Sequence, residues 1–241
     1  NSLLGFEGEA GPREVALLTP FLDDLPPDVL SDYSLPVGTD DLRNRRNLRT
    51  AQNLLEQAGW TLQDGILRNA EGQPFVFEML LSSSANEAVT GIFAEALQRL
   101  GITMELSLVD AAQYTERLNT YDYDMIAHTW GLSLSPGTEQ FNYWGSDGLR
   151  EEGTRNYAGI DSPAVDAMID AILASDGRED FVSAVRALDR VLTTGRYAIP
   201  FWYSPLVRVA HKAELHYPAD NLPIYGYWIG FMPDVWWSEA E

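Results

Sequence analysis

Residues 75–109 read FVFEMLLSSSANEAVTGIFAEALQRLGITMELSLV, and the change of period within this stretch decides the fold. Phe75, Phe77, Met79 and Leu81 alternate with their neighbours, which places them on one face of a strand. From Asn86 to Leu100 the spacing lengthens to three and four residues. Val89, Ile92, Phe93, Ala96, Leu97 and Leu100 then form the stripe of an amphipathic helix, and Gly101 stops it. Alternation resumes at Ile102, Met104, Leu106 and Leu108. Strand, helix and strand in this order indicate an α/β layer fold with parallel pairing.

Upstream, Leu48, Ala51, Leu54, Leu55 and Ala58 share one face of a helix predicted over Asn47–Ala58, with Asn47 as cap and Gly59 as stop. Ile66-Leu67-Arg68, the turn Asn69-Ala70-Glu71-Gly72 and the strand from Phe75 predict a hairpin. Residues 1–42 read as an extended lead-in, with Glu14–Leu18 a short strand or a turn of helix. The cluster Arg43-Asn44-Arg45-Arg46 reads either as a solvated approach to the helix or as a contact for a ligand carboxylate.

Downstream, Asp110 with Gln113 three residues on resembles a capping box opening a helix to about Leu118. A strand through Asp124–Trp130 follows, then a break at Gly131 into a loop reaching Ile160. A loop of that length is functional or disordered, and its large aromatics argue against disorder. We therefore expect a ligand-contacting loop at the end of a sheet strand, with Trp130, Tyr143, Trp144 and Tyr157 as its contact surface. Ser162-Pro163 opens a helix with the stripe Val165, Met168, Ile169, Ile172 and Leu173. Another helix spans Arg178–Thr194 on Phe181, Val185, Leu188 and Leu192, ending at Gly195. Ala198–Ser204 and Val207–His211 read as strands. The last thirty residues read as an aromatic, loop-like tail whose apolar surface needs a cover.

Composition narrows the chemistry. A net charge of −20 repels nucleic acid and anionic membrane surfaces, so neither is expected as a partner. The absence of cysteine excludes disulfides, thiolate metal sites and cysteine nucleophiles. No apolar run approaches the ~18–20 residues that cross a bilayer, so no membrane span is expected in this chain. His128, His211 and His216 have no metal-ligand spacing, and His128, on an apolar strand, reads as a core histidine. Asp122 with Asp124, or Glu151 with Glu152, could pair as in a glycosidase, which keeps an acidic α/β hydrolase as the alternative function. Among 36 acidic residues adjacent pairs arise by chance, so no catalytic residue, metal or cofactor is assigned.

Several short motifs occur in a recognisable order: Asn1-Ser2 before Glu14-Val15-Ala16-Leu17-Leu18, then Ala51–Trp60, Leu100-Gly101-Ile102 and Tyr123-Asp124-Met125-Ile126. Arg155-Asn156-Tyr157-Ala158-Gly159-Ile160, Ser162–Asp166, Ala187–Val191 and Ile199-Pro200-Phe201-Trp202-Tyr203 follow. In this order the chain resembles the C-terminal part of the family 5 extracellular solute-binding proteins, the peptide and oligopeptide receptors of ABC importers. Asn47–Gln52, Arg155–Ile160 and Asp234-Val235-Trp236-Trp237 resemble the branch that serves Yej-type importers.

The resemblance implies a type II periplasmic-binding-protein-like lobe, a mixed sheet flanked by helices. Residues 1–196 would be most of the C-terminal lobe. Residues 197–241 would cross back to complete a first lobe, which, like the signal sequence, is not in this piece. It implies capture of a peptide or peptide-like ligand without turnover, delivery to the importer's permease subunits, and a periplasmic location. Many of these receptors hold the ligand's α-amino group with an acidic residue three positions after the central tryptophan. Counted from Trp130, that position is Ser133. The ligand contacts expected are thus Trp130, Ser133, Tyr143, Trp144, Asn156 and Tyr157.

Overall fold

The computed structural model describes residues 4–38, 44–130, 135–200, 208–223, 226–228, 230 and 232–238. They fall into two compact units, Asn1–Ala198 and Ile199–Glu241. At the centre of the first, β3 (Val76–Leu81) pairs in parallel with β4 (Thr103–Leu108) on one side and with β5 (Met125–Ile126) on the other. Two helices make the crossovers, α3 (Glu87–Gln98) from β3 to β4 and α4 (Ala111–Asn119) from β4 back past β3 to β5. Because the crossovers run in opposite directions, the helices cover opposite faces. Phe93, Ala94 and Leu97 of α3 pack on Met79 and Leu81, the odd-parity face of β3, and on Met104 of β4. On the other face Arg117 of α4 reaches Glu78, with Nη2 2.7 Å from Oε1.

The helix α3 is rolled away from the stripe its sequence indicates: Ile92 is 69% exposed and Thr90 only 1%. Thr90 can face inward because its hydroxyl donates to the Asn86 carbonyl at 2.7 Å, so no polar atom is buried unsatisfied. Asp110 caps α4 as expected, its carboxylate accepting from the amides of Ala112 and Gln113. The strand expected through Asp124–Trp130 pairs only over Met125–Ile126, which frees the residues after it to leave the sheet.

Ahead of the sheet, α2 (Arg45–Gln57) lays Leu48, Ala51 and Leu55 over Leu67, Leu100 and Ile102. Asn47 lies inside α2, its amide donating to the Val37 carbonyl, so it is not the cap. The hairpin expected at 66–81 forms one strand earlier, between β1 (Thr61–Gln63) and β2 (Ile66–Arg68). Asp64 (φ 49°) and Gly65 (φ 81°) supply the two left-handed residues of a tight turn, a signal present in the sequence and passed over. Toward β3 there is only the Arg68–Pro74 bridge. Gly101 (φ 80°) ends α3 where the chain touches this hairpin, and a Cβ there would meet the Leu67 amide at 2.7 Å.

The larger core of this unit is helical. A short helix α5 (Glu139–Trp144) and a 3-10 turn (Ser146–Leu149) occupy part of the stretch expected to be loop. The helices α6 (Pro163–Leu173) and α7 (Arg178–Thr194) pack together through Val165, Met168, Ile169, Ile172, Val185, Leu188 and Val191, with Tyr143 and Trp144 of α5 in the same core. Each fully buried aliphatic of this kind contributes about 1.5–3 kcal/mol.

The lead-in is not extended. It forms α1 (Pro12–Leu18), and Leu18 and Val29 are fully buried in the α6–α7 core. A charged clamp holds it. Arg190, 1% exposed, donates through Nε to Glu14 at 2.5 Å and through its terminal nitrogens to the carbonyls of Ser31 and Gly8. The ring of Phe6 lies 4.4 Å from its guanidinium carbon.

In the second unit β6 (Leu215–His216) pairs antiparallel with β7 (Trp237–Ser238), and α8 (Met232–Val235) precedes β7. Tyr217 stacks on Trp236 at 4.5 Å, and Trp236 Nε1 donates to the Gly226 carbonyl, so the tail is partly its own cover. Trp228 and Trp237 are 45% and 51% exposed. Residues 201–207, which include most of the first strand expected there and the start of the second, lie outside the described residues, and residues 208–211, expected to continue the second, form no strand.

Candidate ligand-binding rim

In open α/β sheets ligands bind beyond the carboxyl ends of the strands, where crossovers diverge to the two faces. Here that edge carries the residues after β3, the turn at Val109–Asp110, and Ala127–Trp130 after β5. Below the last of these the tyrosines form a support. Tyr114 Oη donates to the Ala127 carbonyl at 3.4 Å and Tyr123 Oη to the Tyr157 carbonyl at 3.0 Å. Burial, and then the neighbouring tyrosines, hold the Tyr123 phenol protonated, well above the usual range.

On this support sits a chain of rings. His128 meets Tyr157 edge-on at 4.8 Å and Trp130 at 5.0 Å. Trp130 lies 5.0 Å from Trp144, and Trp144 6.3 Å from Tyr143. The chain is graded from solvent to core: His128 is exposed, Trp130 and Tyr157 half-buried, Trp144 and Tyr143 buried. His128 is thus not the core histidine its strand suggested, because β5 ends two residues before it. Partial burial, and then the Arg155 charge, hold its imidazole below the ordinary value, so it is neutral at pH 7.

The structure brings Trp130, Tyr143, Trp144 and Tyr157 into one assembly, but only Trp130 and Tyr157 lie at its surface. Trp144 Nε1 donates to Gln140 Oε1 at 3.0 Å, a bond inside the core. Asn156 is fully buried: its amide nitrogen donates to the carbonyls of Gly145 and Ile160, and its carbonyl oxygen accepts from the Ile160 amide. These three bonds fold the 145–160 segment around it. Ser133 lies outside the described residues. Trp130 Nε1 is buried with no hydrogen-bond partner among the described residues. His128, which the sequence suggested was a core residue, is the rim residue that sequence reasoning misplaced.

The acidic pair is elsewhere. Asp124 accepts from the Glu78 amide at 2.8 Å, and Asp122 is in an ion pair with Arg117 at 2.9 Å, both at the amino end of the sheet. These carboxylates hold β5 and α4 in place and lie at the opposite edge from the rim. Among the described residues no group of three or more His, Cys, Asp or Glu side chains could hold a metal ion, and no helix is long and apolar enough to cross a membrane.

Residues 16–150 match the family described as bacterial extracellular solute-binding proteins, family 5 Middle. A probable peptide-binding protein YejA of Agrobacterium fabrum is 39% identical over 228 residues, 94% of this chain and 36% of that protein. A peptidoglycan-binding protein YepA of the same organism is 36% identical over 240 residues, 99% of this chain and 38% of that protein. The chain therefore spans somewhat more than a third of the length of these curated relatives. Among solved structures, the oligopeptide-binding protein AppA of Bacillus subtilis, in complex with a nonapeptide, superposes with a TM-score of 0.61. The match covers 95% of this chain and 45% of that one at 18% identity, and so carries the fold, that of type II periplasmic binding proteins.

Proposed function

The chain belongs to the bacterial extracellular solute-binding proteins of family 5, and on that premise we propose that it is part of the solute-capturing subunit of an ABC importer for peptides or peptide-like solutes. The observation that carries the reading is the graded aromatic rim at the carboxyl edge of the parallel sheet, with Trp130 and Tyr157 at its surface and tyrosine hydroxyls holding the carbonyls of Ala127 and Tyr157. The names of the Agrobacterium relatives favour a peptide or a peptidoglycan-derived solute.

In this reading residues 1–196 are most of one lobe, and the rim is one jaw of a cleft. Residues 197–241 cross back to the other lobe, whose remaining sequence lies elsewhere in the protein. The solute contacts both jaws, favours the closed arrangement, and is handed to the permease subunits from the periplasm. Trp130 and Tyr157 stack on the solute, and Ser133 is a further contact to it. Tyr143, Trp144 and Asn156 act from behind as the frame that fixes those positions.

The role is binding without turnover. Native mass spectrometry of the protein expressed from its complete coding sequence is expected to find a retained peptide or peptide-like mass. Adding that compound at a hundredfold excess over Kd is expected to stabilise the protein by about 2.7 kcal/mol. Conversion of the compound to products, or its failure to stabilise the protein at any concentration, would remove the proposal.

A further inference from the structure

The parallel sheet ends on one side in β4, and among the described residues no strand pairs with its outer edge. The Thr103 amide donates to the Phe75 carbonyl and the Val109 amide to the Leu81 carbonyl, both toward β3. Odd-numbered residues of β4 therefore bond to β3, and Met104, Leu106 and Leu108 turn their backbone N–H and C=O groups outward. The side chains of these three share the face that carries α3. Met104 is buried there, whereas Leu106 and Leu108 are 42% and 49% exposed. The edge is a free hydrogen-bonding row with an apolar flank.

Open edges are normally blunted by lysine, proline, a bulge or a covering segment, because any strand can pair with them. β4 has no lysine or proline, and its register with β3 runs unbroken from Thr103 to Leu108. Its one charge, Glu105, is on the opposite face from the leucines. A strand that fits must set apolar side chains beside both leucines and no acid beside Glu105.

β4 meets that requirement itself. In an antiparallel pair about a two-fold axis at Leu106, Leu106 faces its own copy, Met104 faces Leu108, and Glu105 faces Ser107. An axis at Glu105 or Ser107 is excluded, since their backbone groups are taken by β3. One at Leu108 would set Leu106 against Asp110, and one at Met104 would leave Leu108 beyond the end of the strand. Closure at Leu106 also brings a second α3 alongside the first. The crossover helix lies over the gap between β3 and β4, so a strand spacing of about 4.8 Å sets the two helices roughly 10 Å apart, the separation of packed helices. A lone peptide strand would bring no such helix.

We propose that this edge is a dimer interface, in which β4 pairs antiparallel with β4 of a second copy and the two sheets become one. The same patch serves both copies, so the pairing closes on itself and builds no fibre. The two aromatic rims, each at the carboxyl edge of its own sheet, then face opposite ways. The interface is independent of which solute the rim holds.

The test uses the protein expressed from its complete coding sequence. Sedimentation velocity over a concentration series is expected to show the doubled mass. Leu106→Lys sets two like charges on the axis and is expected to abolish it. Leu173→Lys, at an exposed leucine of α6, is expected to keep it. Circular dichroism checks that both variants are folded. Register is read by cysteine substitution, in a chain that has none. Leu106→Cys places two sulfurs opposite each other at a Cα separation of about 5.5 Å, and is expected to give a covalent dimer on mild oxidation. Leu108→Cys stands roughly 15 Å from its own copy and is expected to give none.

A monomer at every concentration, a dimer that survives Leu106→Lys, or one that is lost in Leu173→Lys as well overturns the interface. So does cross-linking of Leu108→Cys as strong as that of Leu106→Cys. Should Leu106→Lys fail to fold, the two cysteine variants decide alone.

Discussion

The clamp at Arg190 and the rim at Arg155 use the same side chain beside aromatic rings, and they differ in what satisfies the guanidinium. Under Phe6, Arg190 gives its donors to Glu14, to the Ser31 carbonyl and to the Gly8 carbonyl, and solvent is excluded. Arg155 is exposed two positions before Tyr157, and its backbone amide donates to the Asn142 carbonyl. The first arrangement fastens two distant segments. The second leaves donors free on a fixed backbone, which is the condition for meeting a solute. Composition alone cannot separate them, since both are an arginine near aromatic rings in an acidic chain.

The comparison breaks most visibly at the clamp. Arg190→Ala leaves Glu14 charged and buried, and urea unfolding is expected to show a loss of about 3–5 kcal/mol. Replacing both partners, Arg190→Met with Glu14→Leu, is expected to recover most of it, because a buried ion pair exchanged for apolar side chains is close to neutral. A single variant as stable as the parent would mean that the clamp fastens nothing.

Asn156→Ala is expected to cost about 1–3 kcal/mol, because the Gly145 and Ile160 backbone groups lose their partners inside the core. Were stability unchanged while solute retention fell, Asn156 would belong to the rim and not to its frame. Arg155→Gln is expected to change stability by no more than about 0.5 kcal/mol, as for an exposed side chain with no ion pair among the described residues. A loss as large as that of Asn156→Ala would make Arg155 a second fastener and erase the contrast.

The smallest effect is one of pH. Burial, and then Arg155, depress the His128 imidazole below its reference value of 6.5. The unfolded chain then binds more protons just below that value, so stability rises with pH through this window and is fully present above it. His128→Gln is expected to flatten the urea midpoint between about pH 5 and pH 7. An unaltered slope would mean that the imidazole is as well solvated in the fold as in the unfolded chain.

Period and punctuation made most of the frame legible. Ser162-Pro163 marks the start of α6, and Arg178–Thr194 is the helix that Phe181, Val185 and Leu188 indicate. Side-chain direction was harder. Thr90 faces the sheet because a backbone bond satisfies its hydroxyl, and an apolar stripe does not register that. Asn156 in a polar loop reads the same whether it points to solvent or, as here, into the core. Tyr143 and Trp144 read as contact surface because the turn of helix that buries them has too few residues to show a period. Arg190 left a readable hint, a charge on the face of α7 that also carries Ala187, Val191 and Thr194, all buried.

The clamp also bears on when this unit can be completed during synthesis. Glu14 and Arg190 are 176 residues apart in the chain. A ribosome adding about 5–20 residues per second needs roughly 10–35 s to travel from one to the other. For most of that interval Leu18 and Val29 have neither α6 nor α7 to bury them. The parallel sheet, whose strands all lie within residues 76–126, has already left the ribosome. Closure of the unit therefore runs from the middle outward, and the N-terminal segment is among the last pieces to lock.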